Sequence, residues 1–296
     1  MTIRRKIVPL LLLALALALS GCQGKAKKEP GMPTPEVTPA PTKDIEIITP
    51  AVTETPEDET GVTVIEAAEI TDEPEITEPV IEEDPAIVVV LDPGHGGRFT
   101  GAQYYGKYEK EITLKIAEYI REYLTSNYKN IEVYLTRETD IALDDDIKIE
   151  LEKRAIFAEE KNADYFVSLH LNASENHNLR GGTVYCSRRD NVHDASYGLA
   201  QSILKELVAL GIKNNGVQMR KSADNIDENG EPLDYYAVIR HNANRDIPAV
   251  IVEHCFMDNE TDHAFLDSDE KICALAEADA KGIASYLELE LKEDAE

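Results

Sequence analysis

With 296 residues, the chain is long enough for one sizeable domain or two small ones. Its 57 acidic and 30 basic side chains give a formal net charge of −27, which excludes a nucleic-acid partner, since that requires basic patches. Four cysteines, of which Cys22 stands apart near the start, leave Cys186, Cys255 and Cys273. An odd remainder is not a disulfide framework. Small buried hydrophobes are the expected role, with any one pairing left open.

Composition is uneven along the chain. Residues 1–21 begin with Arg4, Arg5 and Lys6, continue in an apolar run from Ile7 to Leu19, and end Leu19-Ser20-Gly21 before Cys22. This is the pattern of a secretory signal. The small residues before Cys22 resemble a bacterial lipobox, so the expectation is cleavage there, a lipid on the Cys22 thiol and an extracytoplasmic protein held at a membrane. An uncleaved anchor is the alternative, but the apolar run is shorter than the roughly 20 residues a span needs. Residues 22–85 are rich in Pro, Thr and Glu, with no aromatic residue and no sustained apolar period. Such a segment cannot bury enough surface to offset ordering entropy, and prolines with like charges keep it extended. It is expected to be a disordered acidic tether.

From Ile87 the texture changes. Ile87-Val88-Val89-Val90-Leu91 is a short β-branched run that stops in Asp92-Pro93-Gly94-His95-Gly96-Gly97, as a buried central strand ending in a turn does. Lys107 to Asn127 carries Ile112, Ile116, Ile120 and Leu124 four apart, a helical stripe. A strand over 131–136, a helix over 147–162, strands over 165–170 and 182–186, and a helix over 196–210 closed by Gly211 follow. Strands are expected over 235–239 and 248–252, with a last helix over 271–291. Alternating strands and helices predict residues 86–296 as a single α/β domain, with a mainly parallel twisted sheet flanked by helices on both faces.

Three of these strands end in a chemically active side chain: His95, His170 and Glu253. Parallel strands bring their carboxyl ends to one edge, where open α/β sheets keep their chemistry. Glu109, near the start of the first helix, is a fourth candidate. Taken singly, the histidines are as readily exposed loop residues, and an acid at a helix start is favoured by the macrodipole. Jointly, two histidines and a carboxylate form a catalytic zinc set with one position left for water, whose pKa zinc lowers to about 7. A further carboxylate is then needed to move protons.

The motifs Asp92-Pro93-Gly94-His95-Gly96-Gly97, Glu109-Lys110-Glu111-Ile112-Thr113-Leu114, Ser168-Leu169-His170-Leu171-Asn172-Ala173 and Pro248-Ala249-Val250-Ile251-Val252-Glu253 resemble, in order, the zinc-dependent N-acetylmuramoyl-L-alanine amidases of bacterial cell-wall turnover. The resemblance spans about 87–289. It implies cleavage of peptidoglycan at the amide joining N-acetylmuramic acid to L-alanine. It also implies one zinc held by His95, Glu109 and His170, with Glu253 as the catalytic carboxylate. The preference for Glu109 over Glu111 comes from the resemblance; spacing alone leaves both open. Arg154, Asn172 and Arg240 match family positions and are expected to be supporting or substrate-facing, Arg240 toward the cleft. Relatives usually carry a small residue and glycine after the glutamate, where this chain has His254 and Cys255. Strand alternation turns His254 away from Glu253, against a ligand role. The longer segment 220–236 is expected either to shape substrate choice or to be a solvated acidic loop, and His177, His193, His241 and His263 carry no assigned role. A zinc peptidase cutting within the stem peptide and a non-catalytic wall-binding lipoprotein are the rival readings. No protein activator is legible.

Overall fold

The structure, a computed structural model, describes residues 85–293. The expected signal segment, Cys22 and all but the last residue of the expected tether lie outside the described residues. The chain forms β1 (Ile87–Pro93), the hairpin β2 (Gln103–Tyr104) and β3 (Lys107–Tyr108), α1 (Glu109–Asn127), β4 (Ile131–Leu135), α2 (Ile147–Glu160), β5 (Tyr165–Asn172), β6 (Gly182–Cys186) and α3 (His193–Ala209). It continues through β7 (Asn214–Gln218), the hairpin β8 (Lys221–Ile226) and β9 (Pro232–Asp234), α4 (Ala237–Ala243), β10 (Ala249–Phe256), α5 (Glu260–His263) and α6 (Asp269–Tyr286).

Six strands form one sheet in the order β4-β1-β5-β10-β6-β7. The first four run parallel; β6 is antiparallel to β10, and β7 is parallel to β6. The mainly parallel α/β architecture follows from the central strands, which are buried on both faces and therefore nearly continuous in Val, Ile and Leu. On one face, the stripe Ile112, Ile116, Ile120 and Leu124 of α1 joins α3 and α6 over Val89, Leu91, Val167, Leu169, Val250 and Val252. On the other face, α2 and α4 cover Val90, Phe166, Ala249 and Ile251 with a smaller core.

Three segments depart from the sequence expectation. Residues 235–239 are not a strand: Tyr236 is extended (ψ 127°) and caps the short helix α4. The run Ala237-Val238-Ile239 fits either period over so few residues, and Asn242 settles the helix by donating from Nδ2 to the Val238 carbonyl (2.8 Å). The edge strand β7 (Asn-Asn-Gly-Val-Gln) and the hairpin β8–β9 are polar and largely exposed, so no apolar alternation announces them. The last helix stops at Tyr286 rather than Leu291. Glu288 adopts a left-handed conformation (φ 53°), and the Leu289 N–H closes on the Ala284 carbonyl (3.0 Å), a helix-ending geometry that needs no glycine signal.

Candidate metal centre and active site

The carboxyl ends of β1, β5 and β10 lie at one sheet edge. Register pairs Asp92 with Ser168 and His170 with Glu253, so these side chains share the face covered by α2 and α4. At the end of β1 the backbone turns sharply. His95 has φ 64°, a conformation uncommon outside glycine. Gly94 carries no Cβ because one there would lie 2.4 Å from the His170 ring. Gly101 likewise leaves space for the Glu109 carboxylate, 2.4 Å from where its Cβ would be.

This turn is held by two buried arginines. Arg137 donates to the carbonyls of Pro93 (3.0 Å), Gly94 (3.1 Å) and Lys110 (2.7 Å). Burial and the neighbouring Arg154 charge lower its pKa to about 10, so it remains a cation at neutral pH. Arg154 donates to the His95 carbonyl (2.7 Å) and pairs with Asp92 and Glu150. Asp92 also accepts from Thr136 and Ser168, both at 2.6 Å. Burial disfavours its charge, but Arg154 and the two hydroxyls outweigh that and hold the carboxyl below its ordinary pKa.

Glu109 is the first residue of α1, buried to 3% exposure, whereas Glu111 is exposed. Its Oε2 lies 3.1 Å from His95 Nε2 and its Oε1 3.0 Å from His170 Nδ1. The two oxygens also accept from the Ala102 and Leu171 N–H groups. Burial opposes the Glu109 charge, yet hydrogen bonds from His170 and His95 hold it well below the usual carboxylate range. One donor atom from each of His95, Glu109 and His170 lies within 4.8 Å of the others, a group able to hold a metal ion. The set of two imidazoles and a carboxylate suits zinc.

Glu253 stands beside this group with its Oε2 enclosed and without a hydrogen-bond partner. Burial raises its pKa to about 7; the Glu109 charge adds to the shift, and His170 and His254 oppose it. A carboxyl poised there can take or give a proton near neutrality. An apolar cleft of about 250 Å³ opens next to the histidines, walled by Phe99, Ile147, Leu151, Tyr236 and Val238.

Other expected residues fall in different places. Arg154 is a support of the His95 turn rather than a cleft residue facing solvent. Asn172 ends β5, its carbonyl accepting from Met257 N–H (2.8 Å), and its side chain borders a polar recess beside β10. Arg240, on α4, donates to the carbonyls of Asp234 (2.7 Å) and Tyr235 (3.2 Å). As part of a helix rather than a post-strand loop, it clamps the end of β9. His254 points to the opposite sheet face, bonding Asp279 Oδ2 (2.6 Å) and the His170 carbonyl (2.9 Å). Cys255 and Cys186 are buried and Cys273 is exposed; all three are free. Arg137, Thr136 and Tyr236 escape the sequence reading. The one available signal for Arg137 is a Thr-Arg pair directly after a buried strand.

A mainly parallel α/β sheet with a His-Glu-His cluster and a proton-tuned carboxyl at its carboxyl edge defines the catalytic domain of an amide hydrolase. Residues 89–285 match the family described as N-acetylmuramoyl-L-alanine amidase, and the chain belongs to that family. It is 36% identical over 207 residues to the endolysin of Bacillus phage SPP1, covering 69% of this chain and 68% of the relative. It is 30% identical over 203 residues to the amidase CwlM of Bacillus licheniformis, covering 69% and 70%. Among solved structures, the catalytic domain of CwlV from Bacillus (Paenibacillus) polymyxa var. colistinus superposes with a TM-score of 0.56 at 29% identity, covering 69% of this chain and 99% of that one. An N-acetylmuramoyl-L-alanine amidase of Clostridium difficile 630 superposes with a TM-score of 0.58 at 27% identity, covering 69% and 98%.

Proposed function

We propose that this chain is a zinc-dependent peptidoglycan amidase, tethered outside the cytoplasmic membrane through a lipid on Cys22, which cuts between N-acetylmuramic acid and L-alanine during wall remodelling or turnover. The observation that carries the catalytic part is the half-buried Glu253, whose enclosed Oε2 has no hydrogen-bond partner, beside the His95, Glu109 and His170 donors.

His95, Glu109 and His170 would hold the zinc. When bound, the metal polarises the scissile carbonyl and acidifies water. Glu253 takes the proton of the attacking water and returns it to the departing L-alanine nitrogen. Its place beside the donor cluster suits both halves of that transfer, since one positioned carboxyl can accept a proton and then donate it. Arg154 and Arg137 keep the His95 turn in its strained conformation, so that the donors are positioned before substrate arrives. The apolar wall of Phe99, Leu151 and Tyr236 limits water beside the reacting amide.

The test is mass analysis of muropeptides digested by the full chain, with and without a zinc chelator and with bound metal quantified. The expected products are free muramic acid lactyl carboxylates and peptides beginning with L-alanine, lost on chelation and restored by zinc. Cuts inside the stem peptide, or undiminished cleavage by metal-free protein, defeat the proposal. The anchoring part is checked separately. Cys22→Ala should release the protein from membranes, and deletion of residues 30–80 should leave it anchored but less able to reach wall polymer.

A further inference from the structure

We propose that the polar recess between the end of β5 and the edge strand β7 is the subsite for the acidic stem peptide, with Arg180 and Lys213 as its recognising cations. This deepens the reading of the same site as a muramoyl-peptide amidase and rests on it.

The recess encloses about 430 Å³ and continues the row of side chains that carries the chemistry. Thr183, which lines it, is the register partner of Glu253 on the neighbouring strand, and Tyr185 and Gln218 are paired one step further along the same face. A peptide leaving the scissile amide toward β6 and β7 therefore runs directly over it.

Its chemistry is unlike the rest of the molecule. The chain carries 57 acidic side chains, yet none lines this recess, which presents Arg180, Lys213 and the amides of Asn172, Asn178, Asn215 and Gln218. Among the described residues, neither Arg180 nor Lys213 has a carboxylate partner, although the ion pairs nearest them in sequence involve His177 and Lys205. Unpaired cations attract carboxylates, and side-chain amides offer both donors and acceptors to a peptide backbone. The other candidate directions are less suitable for an anion. The cleft of about 940 Å³ by the β8–β9 hairpin sets six carboxylates, those of Asp190, Asp227, Glu228, Glu231, Asp234 and Asp246, against only two cations, Arg188 and Arg189. The cleft beside His95 is walled mostly by apolar side chains, and the one arginine lining it, Arg154, is already paired with Asp92 and Glu150, so it suits a sugar ring rather than a carboxylate. Substrate polarity across the site is thereby assigned, with the glycan toward α2 and α4 and the peptide toward β6 and β7.

The two cations are built into one rim. Asn215 Nδ2 donates to the Arg180 carbonyl (2.9 Å), and the Gly182 N–H donates to the Lys213 carbonyl (2.9 Å). The loop bearing Arg180 is fixed at both ends. Buried Asp258 accepts from Ser174 N–H (3.1 Å) and contacts His177 Nδ1 (2.9 Å), while buried Asp262 accepts from the Gly181 N–H (2.6 Å). A rim ordered in advance loses little entropy on binding.

The test uses the full zinc-loaded chain and two probes. One is the dipeptide L-alanyl-γ-D-glutamate with its α-carboxylate free or amidated; the other is the same pair joined to N-acetylmuramic acid. Wild type is expected to bind the free-carboxylate dipeptide roughly tenfold more tightly than the amide, as exposed charge-assisted contacts allow, with the advantage shrinking as salt rises. The double variant R180A/K213A should lose the preference, its KM for the muramoyl dipeptide rising and its kcat staying within about twofold. Both side chains are exposed, and an unchanged melting temperature would verify the fold. A preference that survives in the double variant overturns the inference, as does a glycerol-phosphate oligomer that displaces the dipeptide while amidation makes no difference. Cleavage without carboxylate preference defeats this inference alone. Carboxylate-selective binding without cleavage defeats the amidase reading and leaves recognition by the rim standing.

Discussion

The two faces of the sheet treat buried charge differently. Beneath α1, α3 and α6 lies a broad hydrocarbon core in which His254 meets Asp279 at 2.6 Å. Beneath α2 and α4 the core is smaller and gives way at the carboxyl edge to charged groups: Asp92, Glu150 and Arg154, then Glu109 with two histidines. There, Arg154 is matched by two carboxylates, whereas Glu253 keeps one enclosed oxygen without a partner. Consecutive residues on one strand, Glu253 and His254, thus lie in opposite regimes. Both ring nitrogens of His254 are partnered and serve position, whereas the enclosed oxygen of Glu253 is a cost retained for chemistry.

Four measurements break or sharpen this contrast. The largest effect is expected from Glu253→Gln. Muropeptide cleavage should fall about 10²- to 10⁴-fold, the usual contribution of a positioned acid–base group, while zinc content stays at the wild-type level. A small loss would show that the unpaired carboxyl is not where protons move. Next, Arg154→Ala strands Asp92 and Glu150, and removing one partner of a buried pair costs about 3–5 kcal/mol. Denaturant unfolding should show that loss, and a variant within 1 kcal/mol of wild type, on the scale of exposed pairs, would mean the network contributes nothing to the fold.

The third concerns the metal-free chain. The folded Glu253 pKa, raised to about 7, lies above the ordinary carboxyl value, so the folded state holds a proton that the unfolded state has lost. Stability therefore falls as pH rises from about 4.5 to 7. Glu253→Gln should be more stable than wild type by about 3 kcal/mol at pH 8 and nearly indistinguishable at pH 4. Equal pH profiles for the two proteins would contradict this assignment of strain. The smallest effect is expected at Cys273, exposed on α6. Cys273→Ser should shift stability by no more than about 0.5 kcal/mol, against a larger loss for the same change at enclosed Cys255.

Much of this site was readable because strands leave two records at once: a β-branched run, and a polar residue where the run stops. His170 and Glu253 carry both, and their pairing follows from parallel topology. Glu109 and Glu111 differ in a way spacing could not decide. Two positions apart on a helix face nearly opposite directions, but only the packed structure determines which direction is inward. Arg137 left almost no trace, since its partners are backbone carbonyls from three separate segments. The α4 helix was misread because three apolar residues carry too little period, and β7 because an exposed edge strand needs no apolar pattern.

One consequence of the topology is mechanical. The described chain enters the domain at the start of β1, and β1 ends at the turn that presents His95. Seven residues at about 3.3 Å each put roughly 20 Å between the point of entry and the donor cluster. Since β1 is bonded on both sides, to β4 and β5, a pull arriving from the N-terminal side loads two ladders in shear and is shared between them before it reaches the histidine.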